Sequence, residues 1–117
     1  MNDRSLEIHH YIDFVAFFAL TAVHGPGWDP SLPIREQHAW DEHAAFMDSL
    51  VDDGFVLLGG PIGDGQRALL VIEATDESEI EARLRDDPWA SMGLLRIGAI
   101  EPWTVWLDGT QRRSSSC

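Results

Sequence analysis

Ten residues from Phe14 to Val23, FVAFFALTAV, are apolar or small nearly without interruption. The stretch is well short of the ~18 apolar residues that begin to make a membrane span, and it suits a β-strand buried on both faces. One face carries Phe14, Ala16, Phe18, Leu20 and Ala22, the other Val15, Phe17, Ala19 and Val23. Side chains alternate along a strand, so the fold must cover both sides of this one. A single sheet with one face left in water does not satisfy it.

The chain that follows supplies cover for one side. Pro33 suits the first turn of a helix. Ala39, Trp40, Ala44, Met47, Leu50 and Val51 then recur at the spacing of one buried helical face. These predict a helix from about Pro33 to Asp53, ended by Gly54. Phe55 to Leu58 read as a short buried strand stopped by Gly59, Gly60 and Pro61, and Asp64-Gly65 as a hairpin turn. Arg67 to Ala74 return as a third strand. Thr75 and Asp76 cap a second helix with an acidic first turn, Glu77 and Glu79, which buries Ile80 and Leu84 and ends at Asp87-Pro88. After a turn through Met92, a last strand spans roughly Leu94 to Leu107, broken by Pro102.

This order, β-α-β-β-α-β, is the ferredoxin-like pattern of the α+β class: a four-stranded antiparallel sheet with two helices on one face. The other face is then open and apolar. Two copies packed sheet to sheet would close it, with Trp103 and Trp106 as candidate contacts. The 117 residues read as an N-terminal arm over 1–12, one domain over 13–108 and a disordered tail over 109–117.

Eight basic side chains against twenty acidic ones give a net charge of −12, which repels a phosphate backbone, so nucleic acid is not an expected partner. The expected partners are a small-molecule ligand and a second copy of the chain. The region before Asp13 lacks the basic start and long apolar segment of a signal peptide, and a cytoplasmic protein without membrane association is expected. His9 and His10 are expected in solvent. The single cysteine, Cys117, is the last residue, so neither a disulfide within the chain nor a thiolate metal site can form.

The topology sorts the polar residues. The end of the first strand (His24, Trp28), the first half of the first helix (Glu36, Gln37, Trp40, His43), the hairpin turn (Asp64), the start of the third strand (Arg67) and the end of the second helix (Asp87) all fall at one rim of the sheet. His43 lies on the buried stripe between Trp40 and Met47. A histidine withdrawn from water with a carboxylate on one ring nitrogen is the usual form of a general base, and Asp64 and Asp87 are the two candidate partners. Each of the three also has an ordinary structural role: a core histidine bonded to main chain, a hairpin residue and a helix-end cap.

Other chemistries fit less well. GGPIGDG lacks the Lys-Ser/Thr of a phosphate loop and does not open a helix. His38 and His43 are five apart, whereas helical zinc pairs are three or four apart. No serine or cysteine sits in an elbow motif. Neither a metal nor another cofactor is expected.

EHAAFMDSLVDDG with His43, GGPIGDG with Gly60, Pro61, Asp64 and Gly65, DDPWASMGL with Asp87, Pro88 and Gly93, and IEPW with Pro102 and Trp103 follow one another between residues 14 and 107. In this the chain resembles the YCII-related family. The arm before Phe14 and the aromatic loop at Trp28 are longer than in the smallest members. The resemblance implies ferredoxin-like chains pairing as a dimeric α/β barrel, and a His–Asp pair as the active site. It also implies chemistry akin to that of a relative that dehydrochlorinates a chlorinated hydroxyquinol, or of the related muconolactone isomerases. His43 would then be the base and Asp64 or Asp87 its partner.

The expected function is a small lyase or isomerase acting on a small carbonyl-containing or aromatic-derived metabolite. Trp28 and Trp40 would line the pocket, His24 and Gln37 would add polar contacts, and Arg67 would hold a carboxylate or enolate. The alternative is a ligand-binding or accessory dimer that uses the same cavity without chemistry.

Overall fold

The computed structural model describes residues 16–110. The expected N-terminal arm, Cys117 and most of the expected tail lie outside the described residues. Strand β1 (Ala16–His24) is followed by a 3₁₀ turn (Ile34–Glu36), helix α1 (Trp40–Asp52), strands β2 (Val56–Ile62) and β3 (Arg67–Ala74), helix α2 (Glu77–Leu84), a one-turn helix α3 (Pro88–Ser91) and strand β4 (Leu95–Trp103). The sheet order is β2-β3-β1-β4, antiparallel throughout. This is the four-stranded α+β ferredoxin-like fold.

The double-sided strand is central, as its composition demands. β1 pairs with β3 from Ala16↔Ala74 to Val23↔Arg67 and with β4 from Phe17↔Trp103 to His24↔Leu95. Phe18, Leu20 and Ala22 point under the helices and join Leu70, Ile72 and Ala74 of β3. Leu50, Phe55, Val56, Ile80 and Leu84 complete that core. Removing these side chains from water contributes ~1.5–3 kcal/mol each for the larger ones. Phe17, Ala19, Thr21 and Val23 form the other face and are only half-buried. Beside them Leu58 stays 64% exposed and Trp103 44% exposed. Trp106 lies beyond β4 and is almost fully exposed.

Four boundaries differ from the expected ones. The first helix does not run from Pro33. The 3₁₀ turn ends at Glu36, and α1 starts only at Trp40 because Ala39 adopts a left-handed backbone, φ 60°. β2 continues through Gly59, Gly60 and Pro61 to Ile62, which is permitted because β2 is an edge strand and proline removes only an outward-facing N–H. β4 passes Pro102, opposite Phe18 on the other edge, but stops at Trp103 rather than Leu107. α2 ends at Leu84, short of Asp87-Pro88, which opens a helix of its own. Asp87 caps α3, accepting from the Trp89 N–H at 2.9 Å, with Pro88 in its first turn.

Other signals act as their chemistry predicts. Gly54 takes the left-handed turn after α1, and Gly63 and Gly65 do so in the β2–β3 hairpin. Asp76 caps α2 through the Glu79 N–H, while the Glu79 carboxylate accepts from the N–H and hydroxyl of Thr75. The loop after β1 is zipped to the segment before β4, with Gly25 N–H donating to Leu94 O and Gly27 N–H to Gly93 O, both at 2.8 Å. A Cβ at Gly25 would collide with the Gly93 carbonyl, so only glycine allows this approach.

Candidate active site

Two elements remote in sequence meet at one rim of the sheet. α1 carries His43 in its first turn, and the cap of α3 supplies Asp87. His43 Nδ1 lies 3.0 Å from Asp87 Oδ1 and 2.9 Å from Oδ2, with His43 8% and Asp87 7% exposed. An ionised carboxylate can only accept, so Nδ1 carries the proton and the neutral ring keeps its lone pair on Nε2. Among the described residues Nε2 has no hydrogen-bond partner, and no buried side-chain nitrogen or oxygen lacks one. Nε2 is therefore open to solvent or ligand.

Trp89 holds the pair in place. Its indole is fully buried and stacks on the His43 imidazole, with centroids 3.8 Å apart and planes at 7°. Its main-chain N–H bonds Asp87 Oδ1, and its Nε1–H donates to the His38 carbonyl at 2.6 Å, just before α1. One residue thus touches both members of the pair and the strained entry to the helix. Sequence reasoning passed over Trp89. The available signal was an aromatic directly after Asp-Pro, where a cap and first helical turn fix its direction.

The other aromatic rings continue outward. Trp40 is tilted against both His43 and Trp89 at 5.8 Å, Trp28 meets Trp89 edge-on at 5.6 Å, and His24 stacks on Trp28 at 3.7 Å. These rings border a cavity of about 610 Å³ between the sheet and the helices. His24, Trp28, Trp40, His43 and Asp87 all line it, and beyond them the wall is mainly hydrocarbon. Partial burial pushes the His24 imidazole below its ordinary value of 6.5, favouring the neutral ring. Asp29, at the turn after Trp28, is held below the usual carboxylate range by the hydroxyl and N–H of Ser31.

Of the other expected site residues, Arg67 also lines the cavity, while Asp64 and Gln37 do not. Asp64 stays in the hairpin, where its Oδ1 accepts from the Gln66 N–H. Gln37 is buried as a loop anchor: its Oε1 accepts from Asp29 N–H, and its Nε2 donates to the carbonyls of Asp29 and Leu32. Arg67 borders the cavity at the start of β3. Its pairing with Val23 directs the side chain toward the open face of the sheet.

Comparison with known proteins agrees with this architecture. No curated protein sequence matches the chain. A solved structure of 5-chloro-2-hydroxyhydroquinone dehydrochlorinase from Burkholderia phenoliruptrix AC1100, in complex with 2,5-dihydroxybenzoquinone, superposes with a TM-score of 0.54 at 25% identity. The match covers 77% of this chain and 95% of that one. The model of the YCII-related domain matches residues 17–104, from the second residue of β1 to just past the end of β4. The chain thus belongs to the YCII-related domain family.

Proposed function

We propose that this protein is a small lyase acting on a hydroxylated, carbonyl-bearing ring, with His43 as general base and Asp87 as the group that orients it. The observation that carries the reading is His43 itself, bonded through Nδ1 to Asp87 while Nε2 stays open beside an aromatic-walled cavity. The likeness to a dehydrochlorinase whose complex holds a dihydroxyquinone supports the choice of substrate class.

In this mechanism the ring lies near Trp28 and Trp40, and His43 Nε2 takes a proton from a ring atom next to a carbonyl. The electron pair moves onto the carbonyl oxygen as an enolate, and where a halide sits on the carbon beyond the deprotonated one, collapse of the enolate forms the C=C bond and releases the halide ion. Asp87 remains ionised and stabilises the positive charge that the imidazole gains, while the Trp89 face adds a cation–π contact. His24, kept neutral by burial, offers a hydrogen bond to the oxygen on which charge collects.

The working unit we propose is a homodimer closed by the open sheet face, where in a single chain Phe17 and Val71 are only half-buried and Trp103 is exposed. The test of the chemistry is chloride release from 5-chloro-2-hydroxyhydroquinone. His43→Ala is expected to lower kcat by roughly 10²–10⁴, the usual contribution of a positioned base. Unchanged turnover in that variant would remove His43 from the reaction.

A further inference from the structure

The cavity is larger than one ring needs. About 150 Å³ of apolar space accommodates a benzene molecule, whereas this cavity holds about 610 Å³, within the range of a drug-sized ligand. The surplus has a direction. His43, Met47 and Val51 line it at intervals of four residues along α1, so the wall extends roughly 12 Å from the dyad at 1.5 Å per residue. Facing that row are Leu20, Val56, Leu70 and Leu84, all hydrocarbon and all buried in the core. Val51 is 52% exposed, so this end opens to water beside the last turn of α1. The rim between the helices carries Asp48, Glu81 and Arg85, all exposed, two acids against one base.

We infer that the ligand is a hydroxylated ring bearing an uncharged hydrocarbon substituent, its ring at His43 and its tail laid along Met47 and Val51. This deepens the function proposed above and rests on its placement of the ring at the dyad. The tail is uncharged because an anionic end would meet the carboxylates of Asp48 and Glu81 at the rim. A bare ring would leave the half-buried Met47 and the exposed Val51 in contact with water. A tail of several carbons displaces that water, and burial of each methylene is expected to tighten binding about fourfold.

Isothermal titration of the full-length protein with hydroquinone and its methyl, butyl and hexyl derivatives tests this, together with a hexyl analogue ending in a carboxylate. Affinity is expected to rise about threefold to fourfold per methylene, and the carboxylate-ended analogue to bind at least about tenfold more weakly than the hexyl one. Val51→Asp, a change at a helix position 52% exposed, is expected to abolish the gain with chain length. A flat series in the wild type overturns the inference. So does a gain that persists in Val51→Asp, because it would come from unspecific partitioning. A rising series together with no chloride release from 5-chloro-2-hydroxyhydroquinone supports the tail site and counts against the lyase reading. Turnover lost in His43→Ala alongside a flat series does the reverse.

Discussion

The imidazole of His43 lies flat on the indole of Trp89, 3.8 Å between centroids and 7° between planes. Because Nδ1 is already committed to Asp87, the stack removes the remaining freedom of the ring and determines where Nε2 points. The two contacts have separable consequences. Trp89→Phe keeps an aromatic face and the main-chain N–H on Asp87 but loses the Nε1–His38 bond. It is expected to cost about 1–3 kcal/mol in urea unfolding and to leave kcat within about tenfold of wild type. Trp89→Ala removes a fully buried indole and is expected to cost about 3–5 kcal/mol. Equal losses of kcat in the two variants would show that the aromatic face does not position the base.

Asp87 has two roles, which asparagine and alanine separate. Its Oδ1 caps α3 through Trp89 N–H, and both oxygens face His43 Nδ1. Asparagine still caps well, but its amide can present an N–H to Nδ1 and force the proton onto Nε2, the wrong tautomer for a base. Asp87→Asn is therefore expected to lose turnover by a factor of about 10²–10⁴ with a small change in melting temperature. Asp87→Ala is expected to lose turnover and about 1 kcal/mol of stability as well. If Asp87→Asn retains full activity, the carboxylate does not set the tautomer.

Asp64 was the competing partner on sequence grounds, and its hairpin bond to Gln66 gives it a different job. Asp64→Ala is expected to cost about 0.5–1.5 kcal/mol through that turn bond and to leave chloride release unchanged. A loss of turnover comparable to that of Asp87→Asn would restore Asp64 to the site.

The architecture was legible because it rests on patterns that physics makes local: the unbroken apolar run of β1, the Gly54 and Asp64-Gly65 turns, and the acidic cap of α2. What escaped depended on tertiary context. Alanine has no preference for φ 60°, so nothing at Ala39 announced that the helix would restart there. Gly59-Gly60-Pro61 read as a stop, but an edge strand accepts it, and edge position is decided by pairing partners far away in sequence. For the site, topology brought His24, Trp28, Trp40, His43 and Asp87 to one rim. Gln37 and Arg67 were assigned by rim alone, while their directions follow from a loop network and a strand register. Trp89 needed knowledge that Asp87 begins a helix of its own, α2 having ended at Leu84.

His24 gives the molecule an acid-side weakness. Its folded-state value lies below 6.5 because burial disfavours the charged ring. In that window the unfolded chain binds more protons than the native one, so stability rises with pH. The contribution is complete above 6.5 and is lost as pH falls toward the folded value. His24→Phe keeps a ring against Trp28 and removes the titration. Urea midpoints measured between pH 7.5 and 5.5 are expected to fall less in His24→Phe than in the wild type. Parallel curves would mean that His24 titrates alike in both states.

Ala39 stores strain at the entrance to α1. It is the one non-glycine residue with positive φ among those described, at φ 60° and ψ 32°. The left-handed region costs an L-residue with a Cβ roughly 1–2 kcal/mol, and glycine avoids that cost while losing about 0.5–1 kcal/mol in chain entropy. The conformation is held from both sides, by Gln37 anchored on Asp29 and Leu32 and by His38 O bonded to Trp89. Ala39→Gly is thus expected to stabilise the fold by up to about 1 kcal/mol in urea unfolding. Ala39→Val, branched at the same φ, is expected to destabilise it by more than that. Because Ala39 does not line the cavity, the glycine variant should keep wild-type turnover. A glycine variant less stable than wild type would mean that the Ala39 methyl contributes more by packing than its backbone loses by strain.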